Sequence, residues 1–176
     1  MDARVRSVPH EVNRLAVAAD EPFDVFRDRY ERAVPEFDID VFQRLVDEAA
    51  GWDAVLRATA EAAPHDFLIY WSGDFAALLG LAGEHRRCVQ YLMGNHTIVQ
   101  RMYHHDASVM LYAPLRTAIY EDAEGRTWFT VDQPSTRFSS FGRPEIAEVG
   151  VELDRKLAAL LGHLQMPVPA SLNAPA

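Results

Sequence analysis

The segment Gly94-Asn95-His96-Thr97 holds residue types that could do acid–base or anion-binding chemistry. Asparagine is a favoured N-cap, so a helix should begin here, and its free backbone N–H groups and dipole would attract an anion. The same positive end keeps an imidazole neutral, which suits His96 for work as a general base or hydrogen-bond donor. The alternative is that Asn95 is an ordinary cap and His96 is a polar residue at a helix start.

A second set of polar side chains lies on and after a predicted hairpin. If VMLYAPLRTAIYE is a strand, Tyr112 and Arg116 share one of its faces, because side chains alternate across a sheet. That face suits a ligand pocket, a subunit interface or a half-exposed surface under the terminal helix. Asp132 and Gln133 open the hydroxyl-rich stretch 132–142, which suits a lid or an ordinary connection packed by its own phenylalanines.

These two sets of residues support a hypothesis of small-molecule binding. According to this hypothesis the protein is a homodimer, and its pocket is formed by the Asn95–His96 turn, the hairpin face and the 132–142 stretch. The predicted ligand contacts are Gly94, Asn95, Thr97, Tyr112, Arg116 and Gln133. The sequence does not identify the cofactor, if there is one, or the ligand.

Three alternatives belong to other functional classes. The first is an enzyme in which His96 is the general acid or base, with Asp132 or Tyr112 orienting it and Arg116 pairing with a small acidic or carbonyl-containing substrate. The second is a haem or metal protein that uses scattered histidines, namely His65, His85 or His163. No residue is assigned as a metal ligand, since no paired-histidine motif occurs. The third is a structural module whose hairpin face is only a dimer contact.

Composition narrows the partners and the compartment. The net charge is −9 and the Lys and Arg residues are scattered, which argues against a nucleic-acid surface. No apolar run approaches the roughly 18 residues that a membrane span needs. Cys88 is the only cysteine, so no internal disulfide is possible. We therefore expect a cytoplasmic protein that binds neither nucleic acid nor membrane.

Several elements should position the candidate site. Helical spacing of Phe23, Phe26, Tyr30 and Val34 predicts a first helix, and two more should follow, from Asp38 or Asp40 with Phe42, Leu45 and Val46 inward, and from Trp52 to Pro64. FLIYW and CVQYLM read as strands around a short helix, and DAEG as the turn of a hairpin. A long closing helix should begin at Pro144. Four strands with segregated helices predict an α+β fold, a two-layer domain with a small, mainly antiparallel sheet.

The segment from Tyr91 to Pro134, YLMGNHTIVQRMYHHDASVMLYAPLRTAIYEDAEGRTWFTVDQP, resembles the core of a bacterial family, the domain of unknown function 302. The likeness spans about residues 50–165. It implies a compact α+β domain, often a dimer, with no settled activity. On this basis we predict a flexible segment 1–20, a helical extension 21–50, the family core 51–165 and a loose tail 166–176. Members commonly have Asn-Pro where this chain has Asn95-His96.

Overall fold

A computed structural model describes residues 5–173 of the chain. Within them, β-strands and α-helices follow in the order β1 (Arg14–Ala19), α1 (Phe23–Ala33), α2 (Ile39–Asp47), α3 (Trp52–Ala62), β2 (Leu68–Asp74), α4 (Ala76–Gly80), β3 (Cys88–Gly94), α5 (His96–Tyr103), β4 (Leu115–Glu121), β5 (Thr127–Asp132), α6 (Pro134–Phe138) and α7 (Pro144–His163). Short 3-10 helices span Ala107–Leu111, Ser139–Phe141 and Ala170–Asn173.

The strands form one antiparallel sheet with the order β1-β5-β4-β3-β2. Alternate residues of β1, β4 and β5 are buried, so one face of the sheet enters the core while the other stays open. Helices α1 and α7 bury their apolar sides in the same core. The predicted α+β, two-layer antiparallel architecture is therefore confirmed.

The β4–β5 hairpin turns where the DAEG segment predicted it. The carboxylate of Asp122 accepts hydrogen bonds from the backbone N–H groups of Glu124 and Arg126, at 3.0 and 2.9 Å. Gly125 has a φ of 75°, a backbone conformation that is unfavourable for residues with a side chain. The sheet nevertheless has five strands among the described residues, whereas the sequence predicted four.

The additional strand is β1, which lies in the segment predicted to be flexible. Its register runs from Arg14 opposite Asp132 to Ala19 opposite Thr127, and it buries every second side chain. The prediction of a flexible segment 1–20 is therefore wrong for residues 14–19. Its partner strand lies more than a hundred residues away, and its small alanines gave only a weak alternating pattern. Residues 1–4 lie outside the described part of the chain.

Helix α1 confirms the predicted stripe, and it is part of the core. Phe23, Phe26 and Tyr30 are 2%, 0% and 0% exposed. The hydroxyl of Tyr30 lies 3.3 Å from Thr117 Oγ1 of β4. The predicted extension 21–50 therefore does not stand apart from the family core at this point, because its first helix packs against the sheet.

Helix α2 differs from the expectation. The sequence placed Phe42, Leu45 and Val46 inward, but α2 has no buried residue and Val46 is 70% exposed. The side chain of Asp38 caps the helix by accepting hydrogen bonds from the N–H groups of Asp40 and Val41. The amphipathic pattern is matched only in part: Phe42 and Leu45 are half-buried, with Phe42 stacked on Phe37, whereas Val46 faces solvent.

The segment before β4 is the largest error in the predicted strands. Residues Ala107–Leu111 form a 3-10 helix, because the Asp106 carboxylate accepts the N–H of Ser108 and caps it. Pro114 has no N–H for a sheet ladder, and β4 begins at Leu115. Arg116 does point away from the buried Leu115 and Thr117, as predicted. Tyr112 lies outside the strand.

The C-terminal third of the chain is well packed. All the predicted inward residues of the closing helix are buried, from Ile146 through Leu164. Met166 and Leu172 are also buried, and Ala170–Asn173 packs against α7, so the tail is not loose up to residue 173. Residues 174–176 are outside the described range. Of the helices within 5–173, none combines the length and apolar character that crossing a bilayer requires.

Candidate functional site

The turn between β3 and α5 is built around the side chain of Asn95. Its Oδ1 accepts hydrogen bonds from Thr97 N at 2.9 Å and Thr97 Oγ1 at 2.7 Å. Its Nδ2 donates to the carbonyl oxygen of Asp66 at 2.9 Å. Gly94 precedes it in close contact with Pro114: a Cβ at Gly94 would lie 3.1 Å from Pro114 Cβ, so a larger residue would require Pro114 to shift. The predicted cap is confirmed, and it also joins the turn to the start of β2.

The backbone donors of the turn already have partners. His96 N donates to the Tyr70 hydroxyl at 3.0 Å and Thr97 N to Asn95 Oδ1. Ile98 N and Val99 N both reach the carbonyl oxygen of Asn95, at 3.2 and 3.0 Å. The expectation of free N–H groups for an anion is therefore wrong at this turn, because the first turn of α5 leaves no donor unpaired.

His96 is held by both ring nitrogens. Nε2 lies 2.7 Å from Thr59 Oγ1, and Nδ1 lies 2.7 Å from the Tyr70 hydroxyl. Thr59 donates its own hydroxyl hydrogen to the carbonyl oxygen of Val55. Thr59 must therefore accept from His96 Nε2–H, and Nδ1 of the neutral ring accepts from Tyr70. The network assigns the Nε2–H tautomer to His96.

Aromatic rings surround this imidazole. Phe42 of α2 and Phe37 meet it edge-on, with ring centroids 4.6 and 5.7 Å from its own. Burial lowers the pKa of His96 below its ordinary value of 6.5, because the charged ring loses its hydration. Burial also raises the pKa of Tyr70 to about 12, although the hydrogen bond from His96 N opposes that rise. Both groups are thus neutral near pH 7.

The lowered pKa of His96 has a measurable consequence. Above pH 6.5 the ring is neutral in the folded and unfolded chains, so stability is unaffected. Below pH 6.5 the unfolded chain takes up the proton first, so the free energy of unfolding should fall with pH until the folded ring also titrates. We expect an NMR midpoint for the His96 ring protons below 6.5, and a shallower pH dependence of unfolding in His96→Gln. A midpoint at or above 6.5 would contradict the buried neutral ring.

A cavity of about 150 Å³ lies beside this turn, and its wall is almost entirely apolar. It is bounded by the turn, by α5, by α7 and by the residues that lead into β4. The lining residues are Tyr70, Gly94, Asn95, His96, Ile98, Val99, Met102, Met110, Ala113, Pro114, Leu115, Phe138 and Leu153. Three of the predicted site residues, Gly94, Asn95 and His96, are therefore at a concave surface. Thr97 is not part of the wall.

The other predicted residues belong elsewhere. Arg116, Tyr112 and Asp132 line a second cleft, which adjoins the cavity and shares Met110, Ala113, Pro114 and Leu115 with it. There Asp132 forms an ion pair with Arg137, and the Arg137 guanidinium lies 4.9 Å from the Tyr112 ring centroid. Because His96 has Thr59 and Tyr70 as its partners, the predicted contact of His96 with Asp132, Tyr112 or Arg116 is not formed.

Gln133, predicted to contact a ligand, points into the protein. It is 7% exposed, and its Nε2 donates to Asp154 Oδ2 at 2.7 Å and to the Ser171 carbonyl oxygen at 3.1 Å. Its Oε1 accepts from Asn13 Nδ2 at 2.8 Å. Gln133 therefore joins the end of β5 to α7 and to the C-terminal segment, with both ends of its amide paired inside the protein.

The histidines of the metal alternative are partly brought together. The rings of His65 and His163 lie 3.7 Å apart between centroids. Burial lowers the pKa of His65, and the nearby ring of His163 lowers it further. Within residues 5–173, no group of three or more His, Cys, Asp or Glu side chains is placed to hold a metal ion.

The sequence profile of the domain of unknown function DUF302 matches residues 42–164, which is 123 of the 176 residues. The chain belongs to the DUF302 family. A solved DUF302 structure is similar to it, the crystal structure of an uncharacterized conserved protein from Bacillus stearothermophilus. The TM-score is 0.61 at 16% identity, with 86% of this chain and 97% of that chain covered. No curated protein matches the chain.

The structural match adds to the profile match. It covers about 151 residues of this chain, more than the 123 that the DUF302 profile matches. The shared fold therefore continues beyond the limits of the profile. This agrees with the finding that β1 and α1, which precede residue 42, belong to the core of this DUF302 chain.

Sequence reasoning did not find several residues of this DUF302 site. Tyr70 and Thr59 hold His96, and Phe42 covers it, but they come from β2, α3 and α2. A signal was available for Tyr70, because β2 pairs with β3 in a register that sets Leu68 opposite Gly94. Pairing of the two predicted strands would have placed a tyrosine of FLIYW beside the turn.

Proposed function

We propose that the chain binds a small, neutral, apolar molecule in the cavity beside the Asn95–His96 turn. The observation that carries this proposal is the cavity of about 150 Å³ with its nearly uniform apolar wall. An engineered protein cavity of about 150 Å³ lined by Leu, Ile and Phe stays dry and admits benzene. A single aromatic ring or a short branched chain has the matching size.

The hydrogen-bond inventory supports a neutral ligand. Asn95 uses both ends of its amide, and the nitrogens of His96 are paired with Thr59 and Tyr70. A carboxylate placed in the cavity would find no unpaired donor among these groups, and burying it would be costly. The acidic metabolite that the sequence suggested is therefore a poorer fit for this cavity than an uncharged one.

The enzyme alternative has less support. A base needs a ring nitrogen within reach of substrate, whereas Nε2 of His96 donates to Thr59 and Nδ1 accepts from Tyr70. The two orienters considered for it, Asp132 and Tyr112, and its anion partner, Arg116, line the other cleft. Binding requires neither a free imidazole nor that second group.

Toluene is a suitable probe of the cavity. At ten times its dissociation constant, a ligand of the folded state adds about 1.4 kcal/mol, which for a chain of this length raises Tm by about 3–6 °C. We expect toluene to raise Tm and to shift the NMR signals of Ile98, Met102 and Leu153. Val99→Phe fills the cavity and should remove both effects.

The matched control is Val25→Phe, which adds the same ring at an exposed position of α1. It should leave the response to toluene unchanged. The binding proposal fails if toluene shifts Tm equally in the wild type and in Val99→Phe, or if the signals that move belong to residues outside the cavity wall.

The oligomeric state and the compartment are further parts of the proposal. Apolar side chains on and beside α4 are exposed, and they give a second copy of the chain a surface to cover: Trp71, Leu78 and Leu81. Analytical ultracentrifugation distinguishes such a homodimer from a 19.8 kDa monomer. The cytoplasm suits a chain whose only cysteine, Cys88, is a free thiol.

A further inference from the structure

The open face of the sheet carries a concentration of positive charge that the cavity does not use. Asp132, the last residue of β5, lies directly opposite Arg14 of β1. On the other side of β5, Thr117 of β4 pairs with Val131. Because the two strands are antiparallel, Arg116 is the β4 residue that lies next to Asp132. Arg137 of α6 forms an ion pair with the same carboxylate. We call Arg14, Arg116 and Arg137, with Asp132, the arginine cluster.

The register places these groups close together. Residues directly opposite each other in an antiparallel pair have Cβ atoms about 4.5–5.5 Å apart, and alternation directs Arg14, Arg116 and Asp132 to one face. Leu15, Leu115 and Val131 point the other way, into the core. The arginine cluster is therefore a consequence of strand pairing and does not depend on a flexible loop.

The charges of the cluster do not balance. Three guanidinium groups surround one carboxylate, an excess of two positive charges in a chain whose net charge is −9. Arg137 is paired with Asp132, whereas Arg14 and Arg116 form no ion pair with any described residue. The two clefts that meet at this point contain no acidic side chain besides Asp132. A local field that attracts an anion follows from this arrangement.

The clefts provide room and an apolar surface. One, of about 310 Å³, contains Arg14, Arg116 and Asp132 together with Phe75 and Leu79 beside them. The other, of about 400 Å³, extends from Arg116 and Arg137 to Leu92 and Tyr112. A guanidinium binds a carboxylate with two parallel hydrogen bonds, and an apolar wall suits the rest of an organic acid.

We propose that the arginine cluster binds the carboxylate of a small organic acid, whose apolar body lies against Phe75 and Leu79. None of the four charged residues of the cluster lines the proposed apolar cavity, although the larger cleft shares Met110, Ala113, Pro114 and Leu115 with it. Asp132 competes with the ligand for Arg137, and so it limits the affinity for anions.

The test uses 3-phenylpropionate as the probe and 3-phenylpropanol as its neutral counterpart. Isothermal titration should show that the acid binds at least tenfold more tightly, since hydrogen bonds to charged groups are the stronger ones. The NMR signals of Arg14, Arg116 and Asp132 should move with the acid. Inorganic phosphate should bind more weakly than the acid; equal or tighter binding would assign the cluster to phosphate and overturn the carboxylate proposal.

Two substitutions have opposite expected signs. Arg116→Gln should weaken binding of 3-phenylpropionate about tenfold. Asp132→Asn removes the competing carboxylate and should strengthen it several-fold, which a merely structural role of Asp132 would not do. Arg57→Gln removes an exposed positive charge from α3 and serves as the matched control, with affinity unchanged.

Three further results would overturn the proposal. They are an affinity that Arg116→Gln leaves unchanged, a loss of affinity in Asp132→Asn, and NMR shifts confined to residues outside the two clefts. Absence of any binding in a homodimer that covers the open face would also count against it, because the cluster would then be an interface between copies.

Discussion

A chain that begins at Asp38 should fail to form this structure. Removing residues 1–37 deletes β1 and α1, and with them Phe23, Phe26 and Tyr30, which are almost completely buried. Loss of a buried aromatic side chain costs about 3–5 kcal/mol, so three such losses reach or exceed the roughly 5–15 kcal/mol that stabilises a whole domain. The edge of β5 would also lose its partner.

Circular dichroism and a ¹H–¹⁵N spectrum test this expectation. The truncated chain should show no cooperative thermal transition and little dispersion of its amide signals. As control, a chain that lacks residues 2–11 keeps β1, α1 and the bond from Asn13 to Gln133, and it should fold. A cooperative transition in the chain from Asp38 would show that the family core folds without these elements.

Asp154→Ala should lower the free energy of unfolding strongly, because its carboxylate is buried and hydrogen-bonded. Asp154 lies on α7 and is 3% exposed. Its carboxylate accepts hydrogen bonds from Gln133 Nε2 at 2.7 Å and from Ser135 N at 2.9 Å. Alanine leaves Ser135 N without its acceptor and removes the shortest of the hydrogen bonds that Gln133 Nε2 donates, which together cost about 3 kcal/mol. Thermal unfolding should show Tm lowered by about 6–12 °C.

Two comparisons make the Asp154 result specific. Asp154→Asn keeps one acceptor oxygen and should lose less than half as much. Asp28→Ala, at an exposed position of α1, should change the free energy of unfolding by no more than about 0.5 kcal/mol. A loss below about 1 kcal/mol in Asp154→Ala would mean that water replaces the carboxylate, and that Gln133 is held by its other bonds.

The elements that the sequence predicted well carry local patterns. Helix α1 and helix α7 have apolar residues at helical spacing, and the β4–β5 hairpin has a glycine where its turn needs a positive φ. Strand β1 was missed because its pattern is short and its partner is distant in sequence. The segment Ala107–Leu111 was misassigned because Asp106 caps a 3-10 helix inside an apparently alternating run.

The candidate site was likewise predicted only where local residue types determine it, and not where tertiary packing does. The Asn95 cap follows from residue type and position alone, and the structure confirms it. The grouping of Tyr112, Arg116 and Asp132 was also predicted, and they line one cleft. Their separation from His96 could not be predicted, because it depends on Thr59 and Tyr70, which tertiary packing brings to the imidazole.

The pairing of β1 with β5 also determines when the sheet can form during translation. Strand β1 leaves the ribosome before the other four described strands but pairs only with β5, since Arg14–Ala19 lies against Thr127–Asp132. At about 5–20 residues per second, the intervening stretch takes roughly 5 to 25 s to synthesise. During that time β1 has no partner strand and Leu15 and Val17 are not yet buried in the core, so chaperones that recognise short apolar segments can bind them.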